Sequence, residues 1–356
     1  MLVIADDITG AAEIAGIAFS QGQQVRLFCG SSTYDATNGY KGITVIATDT
    51  RSMTEAEAVA EMKHIISSII RHPSFIFKKT DSALRGHVVA ELTSLMQSTG
   101  YCRAVYLPAN PSKGRIISDG VYFINGKPIH ETDFSFDPEF PARTSSLKER
   151  FPNAEGAGII MPDAESLDDI RRIIETYNDG KTLFAGAADL FALLVEPETK
   201  GTKQEKSIEA YSRENTLILC GSTQSKPLNL GIPLSHMPRE VYDGSSDLSR
   251  WDTTGYQEQH SLILSIPHTH RTGKKAAVHL RTVMAEMTRQ LVTKHCPGYL
   301  IIEGGATAWA TLQALGWNEF DVVRQIAPGV VQMRATCGTL VTLKPGSYPW
   351  GGLFTR

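Results

Sequence analysis

The chain has almost no surplus charge: 35 Lys and Arg stand against 38 Asp and Glu in 356 residues, a formal net charge of -3. Proteins that neutralise many nucleic-acid phosphates carry a basic excess, so nucleic acid is not expected as a main partner. Long apolar runs are missing as well. No window approaches the roughly 18 consecutive apolar residues of a membrane span, and Asp6 and Asp7 stand where a signal peptide needs a basic start and an apolar run. The expectation is a soluble chain without a membrane partner, in the cytoplasm. Cysteines are few: Cys29, Cys102, Cys220, Cys296 and Cys337 are scattered and never form a C-x-x-C pair. That spacing excludes a disulfide framework and a structural zinc site, and predicts ordinary buried thiols. Two phosphate-binding motifs are also missing. Gly180-Lys181-Thr182 has Glu175 where a P-loop needs its leading glycine, and Gly156-Ala157-Gly158 has Met161 where a dinucleotide fingerprint needs its third. His260, His268 and His270 match no zinc spacing.

What is present is alternation. Leu2 to Ala5, Val25 to Cys29 and Ile43 to Ala47 are short apolar runs, and Glu55 to Ile70 places Val59, Met62, Ile66 and Ile69 at helical spacing. Phe75 to Phe77, Ser82 to Met96 and Ala104 to Leu107 repeat strand, helix, strand, which predicts an α/β fold with a largely parallel sheet flanked by helices. Asn125-Gly126 between Val121 to Ile124 and Pro128 to Ile129 predicts a tight hairpin. Residues 132–151 are rich in Pro, Asp, Ser and Phe without a period, as in a functional loop. Helices around Leu167 to Tyr177 and Asp189 to Val195 frame a strand at Thr182 to Ala185. Glu196 to Ser207 is polar, charged and aperiodic, so a linker and a domain boundary near residue 205 are expected. The two domains are 1–205 and 206–356. The second repeats the pattern, with a strand at Thr216 to Cys220, a long helix with Ala277, Leu280, Met284, Met287 and Leu291 on one face, and Tyr299 to Ile302 before Gly304-Gly305 and a helix ending at Gly316.

In open α/β sheets ligands gather at the carboxyl ends of strands. Asp6 and Asp7, beside Thr9 and Gly10, follow the first strand; a single Asp there would read as an N-cap, but two in succession need a cation or leave one carboxylate buried against like charge. A haloacid-dehalogenase-type phosphatase is excluded, because Ile8 and Thr9 occupy the places of its second Asp. Lys78-Lys79-Thr80-Asp81-Ser82-Ala83-Leu84-Arg85-Gly86-His87 concentrates charge after another strand, as does Asp49-Thr50-Arg51-Ser52, and both suit a carboxylate or phosphate ligand. The alternative is a solvated charged loop with Asp81 or Ser82 as a cap. In the second half, Gly304 and Gly305 let backbone N–H groups approach a phosphate, or serve packing alone.

In order and spacing, Val3 to Ala11 with Asp6-Asp7-Ile8-Thr9-Gly10, Lys79 to Gly86, Pro108-Ala109-Asn110-Pro111-Ser112-Lys113-Gly114-Arg115, Gly221-Ser222, Gly304-Gly305-Ala306-Thr307, Ala327-Pro328-Gly329 and Leu343-Lys344-Pro345-Gly346 resemble the four-carbon acid sugar kinases over the whole chain. The resemblance implies an acid-sugar-binding domain, then a nucleotide-binding domain, and catalysis in the cleft between them. It implies ATP with Mg²⁺, and transfer to the terminal hydroxyl of threonate, erythronate or 3-oxo-tetronate. Asp6 or Asp7 would orient and deprotonate that hydroxyl or help hold Mg²⁺. Arg51, Lys79 and Arg85, with Thr9 and Asp81, would bind the acid; Ser222, Gly304, Gly305, Ala306, Thr307 and Gly346 would cradle the nucleotide. Two departures stand out: Ala306 replaces the acidic residue usual in the family's Gly-Gly-Asp/Glu-Thr turn, and the chain is shorter than typical. A sugar-acid sensor with a decayed nucleotide site, and an α/β transferase or dehydrogenase using Gly304-Gly305 for a dinucleotide, are the rival readings. Monomer and homo-oligomer are equally compatible with the sequence.

Overall fold

Short apolar runs become strands and the amphipathic stretches between them become helices. The computed structural model describes residues 1–31, 40–69, 73–137, 140–197, 211–212, 214–221, 228–266, 273–346 and 348–354. The chain divides into two compact units, Met1–Thr202 and Lys203–Arg356. The linker expected over 196–207 falls almost wholly outside the described residues, as do Ser222, His268 and His270.

The first unit opens with β1 (Leu2–Ala5), α1 (Ile8–Ser20), β2 (Val25–Cys29), β3 (Ile43–Ala47), α2 (Glu55–Ser67), β4 (Ile76–Lys79), α3 (Val88–Thr99) and β5 (Arg103–Leu107). An antiparallel ribbon follows, β6 (Arg115–Ser118), β7 (Val121–Ile124) and β8 (Lys127–Pro128). Asn125 and Gly126 both take positive φ, 50° and 78°, as the hairpin turn requires. Then come α4 (Leu147–Arg150), β9 (Ile159–Ile160), α5 (Leu167–Tyr177), β10 (Thr182–Gly186) and α6 (Ala188–Leu194). Seven strands form a parallel sheet in the order β2-β3-β1-β4-β10-β5-β9. Every residue of β1 and β3 is buried, as a parallel sheet covered on both faces demands. The chain turns to one side of β1 for β2 and β3 and to the other for β4, so the sheet order reverses at the carboxyl ends of β1 and β4. That is where a crevice opens in such folds.

Consecutive residues of β4 point to opposite faces. Phe77 packs on Phe191 of α6, whereas Lys78 lies 3.2 Å from Glu91 of α3, both fully buried. The expected helix from Ser82 to Met96 starts late, at Val88, because Leu84 (φ 63°) and Gly86 (φ 95°) leave the right-handed region. The Asp81 carboxylate instead accepts from the Ala83 and Arg85 amides and holds residues 81–87 as a loop.

The second unit contains β11 (Thr216–Cys220), β12 (Leu234–His236), α7 (Arg239–Tyr242), α8 (Thr254–Gln259), β13 (Ser261–Ser265), α9 (Lys274–His295), β14 (Tyr299–Glu303), α10 (Gly305–Leu315), β15 (Glu319–Ala327), β16 (Val330–Ala335) and β17 (Leu340–Lys344). Strands β12-β13-β11-β14-β17 run parallel, and β16 and β15 extend the sheet antiparallel. This antiparallel hairpin has no counterpart in the sequence reading, because β15 lacks a clean alternation. Two further expectations need correction. Met284, Met287 and Leu291 of α9 are buried but Ala277 is exposed, and Cys102, Cys296 and Cys337 are exposed while Cys29 and Cys220 are buried.

The Lys78–Glu91 pair yields a stability prediction. Replacing one partner strands the other charge in an apolar layer, so Glu91→Leu should cost about 3 to 5 kcal/mol. The double replacement Lys78→Met with Glu91→Leu should recover most of the loss in urea unfolding.

Candidate active site

The loops after β1, β3 and β4 meet around one guanidinium. Asp49 takes a left-handed conformation (φ 54°) and begins a short turn, Thr50–Ser52, that carries Arg51 back over the end of β1. Arg51 donates through Nε and Nη2 to Asp6 Oδ2 and Oδ1 at 3.1 and 2.8 Å, and through Nη1 to Asp7 Oδ2 at 3.1 Å. Its Nη2 also lies 3.6 Å from Asp81 Oδ1. Burial would lower the Arg51 pKa, yet the three carboxylates raise it well above the ordinary value. Asp7 is the N-cap of α1: Oδ1 accepts from the Gly10 amide at 2.8 Å and Oδ2 from the Thr9 hydroxyl at 2.6 Å. Burial pushes the Asp7 carboxyl up, but Arg51, the Thr9 hydroxyl, Lys79 and the Gly10 amide bring it below its usual value. It is ionised at neutral pH.

A second fork stands beside the first. Arg85 donates through Nε and Nη2 to the two Asp81 oxygens at 2.8 and 3.0 Å, and through Nη1 to Asp137 Oδ2 at 3.3 Å. Against the cost of burial, Arg51, Arg85 and Lys79 hold the Asp81 carboxyl far below the carboxylate range. The resemblance gives Arg51 and Arg85 to the acid substrate; here Arg51 holds Asp6 and Asp7, and Arg85 pairs with Asp81. Lys79 lies on the α1 side of β4, buried, donating to the Thr80 carbonyl at 2.7 Å and 3.8 Å from Glu13 Oε2. Lys113 pairs with the other Glu13 oxygen. Gly10 is required here, because a Cβ would stand 2.6 Å from Asp7 Oδ1 and 3.4 Å from Lys79 Nζ.

Glu13, Lys113, Arg115 and Asp137 belong to this neighbourhood and escaped the sequence reading. Glu13 sits two turns into α1, where an acid reads as surface charge, and Asp137 lies in the aperiodic loop. Lys113 and Arg115 were visible as part of a motif whose place in the fold was not. Asn110 and Arg115 exchange backbone hydrogen bonds, and Asp189 binds the Ser112 amide and hydroxyl at 2.8 and 2.7 Å, fixing this turn against α6.

In the second unit the turns after β11 and β14 carry glycine. Gly304 (φ 100°) turns the chain from β14 into α10, whose first-turn amides, at Gly305, Ala306 and Thr307, point out of the helix start. A side chain on Gly221, after β11, would collide with buried Thr307. At the same register, Glu303 of β14 and Lys344 of β17 form a buried ion pair of 2.6 Å. Lys344 Nζ also donates to the carbonyls of Pro345 and Gly346 at 3.0 and 3.1 Å and lies 4.8 Å from the Trp350 ring centroid. One ammonium thus fixes two strand-end loops, and Ala306 is exposed on the first turn.

The depressed carboxyls set a pH dependence. Asp7 and Asp81 lie below the ordinary value of 3.8, so their stabilisation is complete above about pH 5 and lost as pH falls through and below that value. Asp81→Asn should therefore differ most from the parent chain at neutral pH, the gap in urea midpoint narrowing once pH falls below about 4 and persisting in part at pH 3, where the folded carboxylate is still ionised. An equal gap at both pH values would contradict the charge assignment.

Comparison with known proteins agrees with the two kinds of strand end. Residues 1–153 match the sugar-binding N-terminal domain family and residues 253–348 the nucleotide-binding C-terminal domain family. A D-threonate kinase of Cupriavidus necator is 34% identical, across 92% of this chain and 89% of that protein. A D-threonate kinase of Salmonella typhimurium is 25% identical, across 98% and 93%. A 3-oxo-tetronate kinase of Brucella melitensis is 23% identical, across 97% and 92%. The fold is shared with a solved Haemophilus influenzae protein, TM-score 0.72 at 20% identity over 99% of this chain and 98% of that one. With two matched domain families and relatives that align from end to end, the chain belongs to the four-carbon acid sugar kinase family.

Proposed function

We propose that this protein is an ATP-dependent kinase that phosphorylates the terminal hydroxyl of a four-carbon sugar acid, threonate, erythronate or 3-oxo-tetronate. The observation that carries the reading is the ionised, partly exposed Asp7 at the switch point of the first unit, in a chain that aligns end to end with curated kinases of such acids. Phosphoryl transfer through a loose transition state needs an aligned hydroxyl, neutralised phosphates and an acceptor for one proton. Asp7 is the acceptor. Its side chain is 17% exposed against 3% for Asp6, and both Asp6 oxygens are engaged by Arg51. Asp6 therefore serves to hold Arg51. Thr9 orients Asp7 through its hydroxyl, and Lys79 supplies positive charge on the α1 side. Asp81 and Arg85 shape the facing loop.

The second unit takes ATP. The α10 amides at Gly305, Ala306 and Thr307 meet the phosphates, with Gly304 giving close approach and Gly346 beside them, and Ser222 keeps the nucleotide role that the resemblance implies. Among the described residues no group of three or more His, Cys, Asp and Glu side chains converges on a metal position. Mg²⁺ would enter as part of the substrate, on the ATP phosphates. Ala306 is compatible with this, since backbone amides need no carboxylate. Domains 1–205 and 206–356 are in this reading acid-binding and nucleotide-binding. The cytoplasm supplies the ATP.

A coupled ADP-release screen over four-carbon acids, both epimers included, should show turnover with at least one. Asp7→Asn should lower kcat by about 10²- to 10⁴-fold in a chain that still unfolds cooperatively, its thermal midpoint lowered by the weakened contact with Arg51. An unchanged kcat at saturating acid would remove Asp7 from the chemistry, and turnover confined to five- or six-carbon acids would overturn the substrate class.

A further inference from the structure

A sugar acid differs from a sugar alcohol by its carboxylate, and a planar fork of N–H donors is the best receptor for that group. The first unit gathers four arginines near the β1 and β4 ends, and three are already engaged. Arg51 gives Nε, Nη1 and Nη2 to Asp6 and Asp7. Arg85 gives the same three nitrogens to Asp81 and Asp137. Arg150 donates to the main-chain carbonyls of Pro141, Leu84 and Phe140. Arg115 differs. Among the described residues it forms no ion pair, and its side-chain hydrogen bond runs from Nη1 to Ser82 Oγ. A guanidinium carries five N–H donors, so the Nε and Nη2 edge is left for a bidentate acceptor.

Its position is also prepared. Arg115 Cζ lies 5.8 Å from the centroid of the Phe134 ring, and Arg85 Cζ lies 5.9 Å from the same ring. The backbone of Arg115 is clamped to Asn110, whose side chain accepts from the Asp189 amide at 3.0 Å. Tyr122 donates to the carbonyls of Ser82 and Pro108 at 2.6 and 3.1 Å, which holds the partner of Arg115 against the start of this turn. Ser82 Oγ accepts from Arg115, so its own proton can be given to the ligand that Arg115 binds. A receptor held this way loses little entropy on binding.

We infer that Arg115 receives the carboxylate of the acid substrate, with Ser82 as a second donor and Phe134 as the wall beside the fork. The inference rests on the kinase reading above and moves carboxylate recognition from Arg51 and Arg85, whose forks hold the protein's own carboxylates, to Arg115. Arg85 remains the neighbour across Phe134. An acid that lacks the carboxylate charge then loses its main anchor while the hydroxyl at Asp7 is unaffected.

The test is steady-state kinetics of the full chain on the preferred acid and on its uncharged primary amide, for the parent protein, Arg115→Met and Arg115→Lys. Arg115→Met should raise KM for the acid by about 10- to 100-fold. KM for ATP and the thermal midpoint should stay near parental values, and the preference for acid over amide should vanish. Arg115→Lys should fall between, and added guanidinium ion should partly restore acid turnover by Arg115→Met. If Arg115→Met loses its fold, Arg115→Lys and Ser82→Ala carry the test through the same ratio. A parental acid-to-amide preference in a folded variant overturns the assignment alone. No turnover and no calorimetric binding of any four-carbon acid by the parent protein overturns the kinase reading with it.

Discussion

The guanidinium of Arg51 lies among three carboxylates, and the order of the first unit's strand ends depends on it. Asp6 and Asp7 are adjacent in sequence and both buried or nearly so, an arrangement that like-charge repulsion forbids without a cation between them. Arg51 satisfies both and reaches toward Asp81. Asp81 passes its remaining lone pairs to Arg85, and Arg85 to Asp137. Alternating charges therefore tie the end of β1, the turn after β3, the loop after β4 and the aperiodic segment near residue 137 into one network.

A network that neutralises itself holds positions more than it binds ligands. Its arginines fix carboxylates, one of which, Asp7, keeps a partly exposed side chain at the N-cap of α1. In the proposed reading, recognition of an anion falls to cations outside the closed pairs. This division explains how a chain with almost no net charge can handle two anionic ligands. The opposing charges are local.

The second unit solves the same geometric problem with backbone. Gly221 lets Thr307 of α10 approach the end of β11, Gly304 turns the chain from β14 into α10 at φ 100°, and the buried Glu303–Lys344 pair locks the two neighbouring strand ends. Lys344 reaches past Glu303 to the carbonyls of residues 345 and 346, so one side chain orders the loop that closes this edge. Charge holds the first set of loops, and close packing with a single ion pair holds the second.

Much of this was legible in the sequence. Runs such as Val25 to Cys29, Ile43 to Ala47 and Thr216 to Cys220 coincide with strands residue for residue, because buried parallel strands need continuous apolar stretches. The turn at Asn125-Gly126 was readable because its backbone requires positive φ. Asp6, Asp7, Arg51, Lys79, Asp81 and Arg85 were readable as polar residues at strand ends. Their pairing was not, since any of three cations could have faced the two aspartates and only the reach of each loop selects Arg51. Glu13 and Asp137 were silent for the same reason: a charge on a helix or in a loop looks solvated until the opposite charge is placed beside it, and Arg115 was legible as part of a motif without a place in the fold. Sequence by itself determined the alternation of elements, the two kinds of strand end and the residues that could bear charge, because these follow from local periodicity and backbone preference. Tertiary structure decided which carboxylate meets which guanidinium, because that choice depends on distances between loops far apart in the chain.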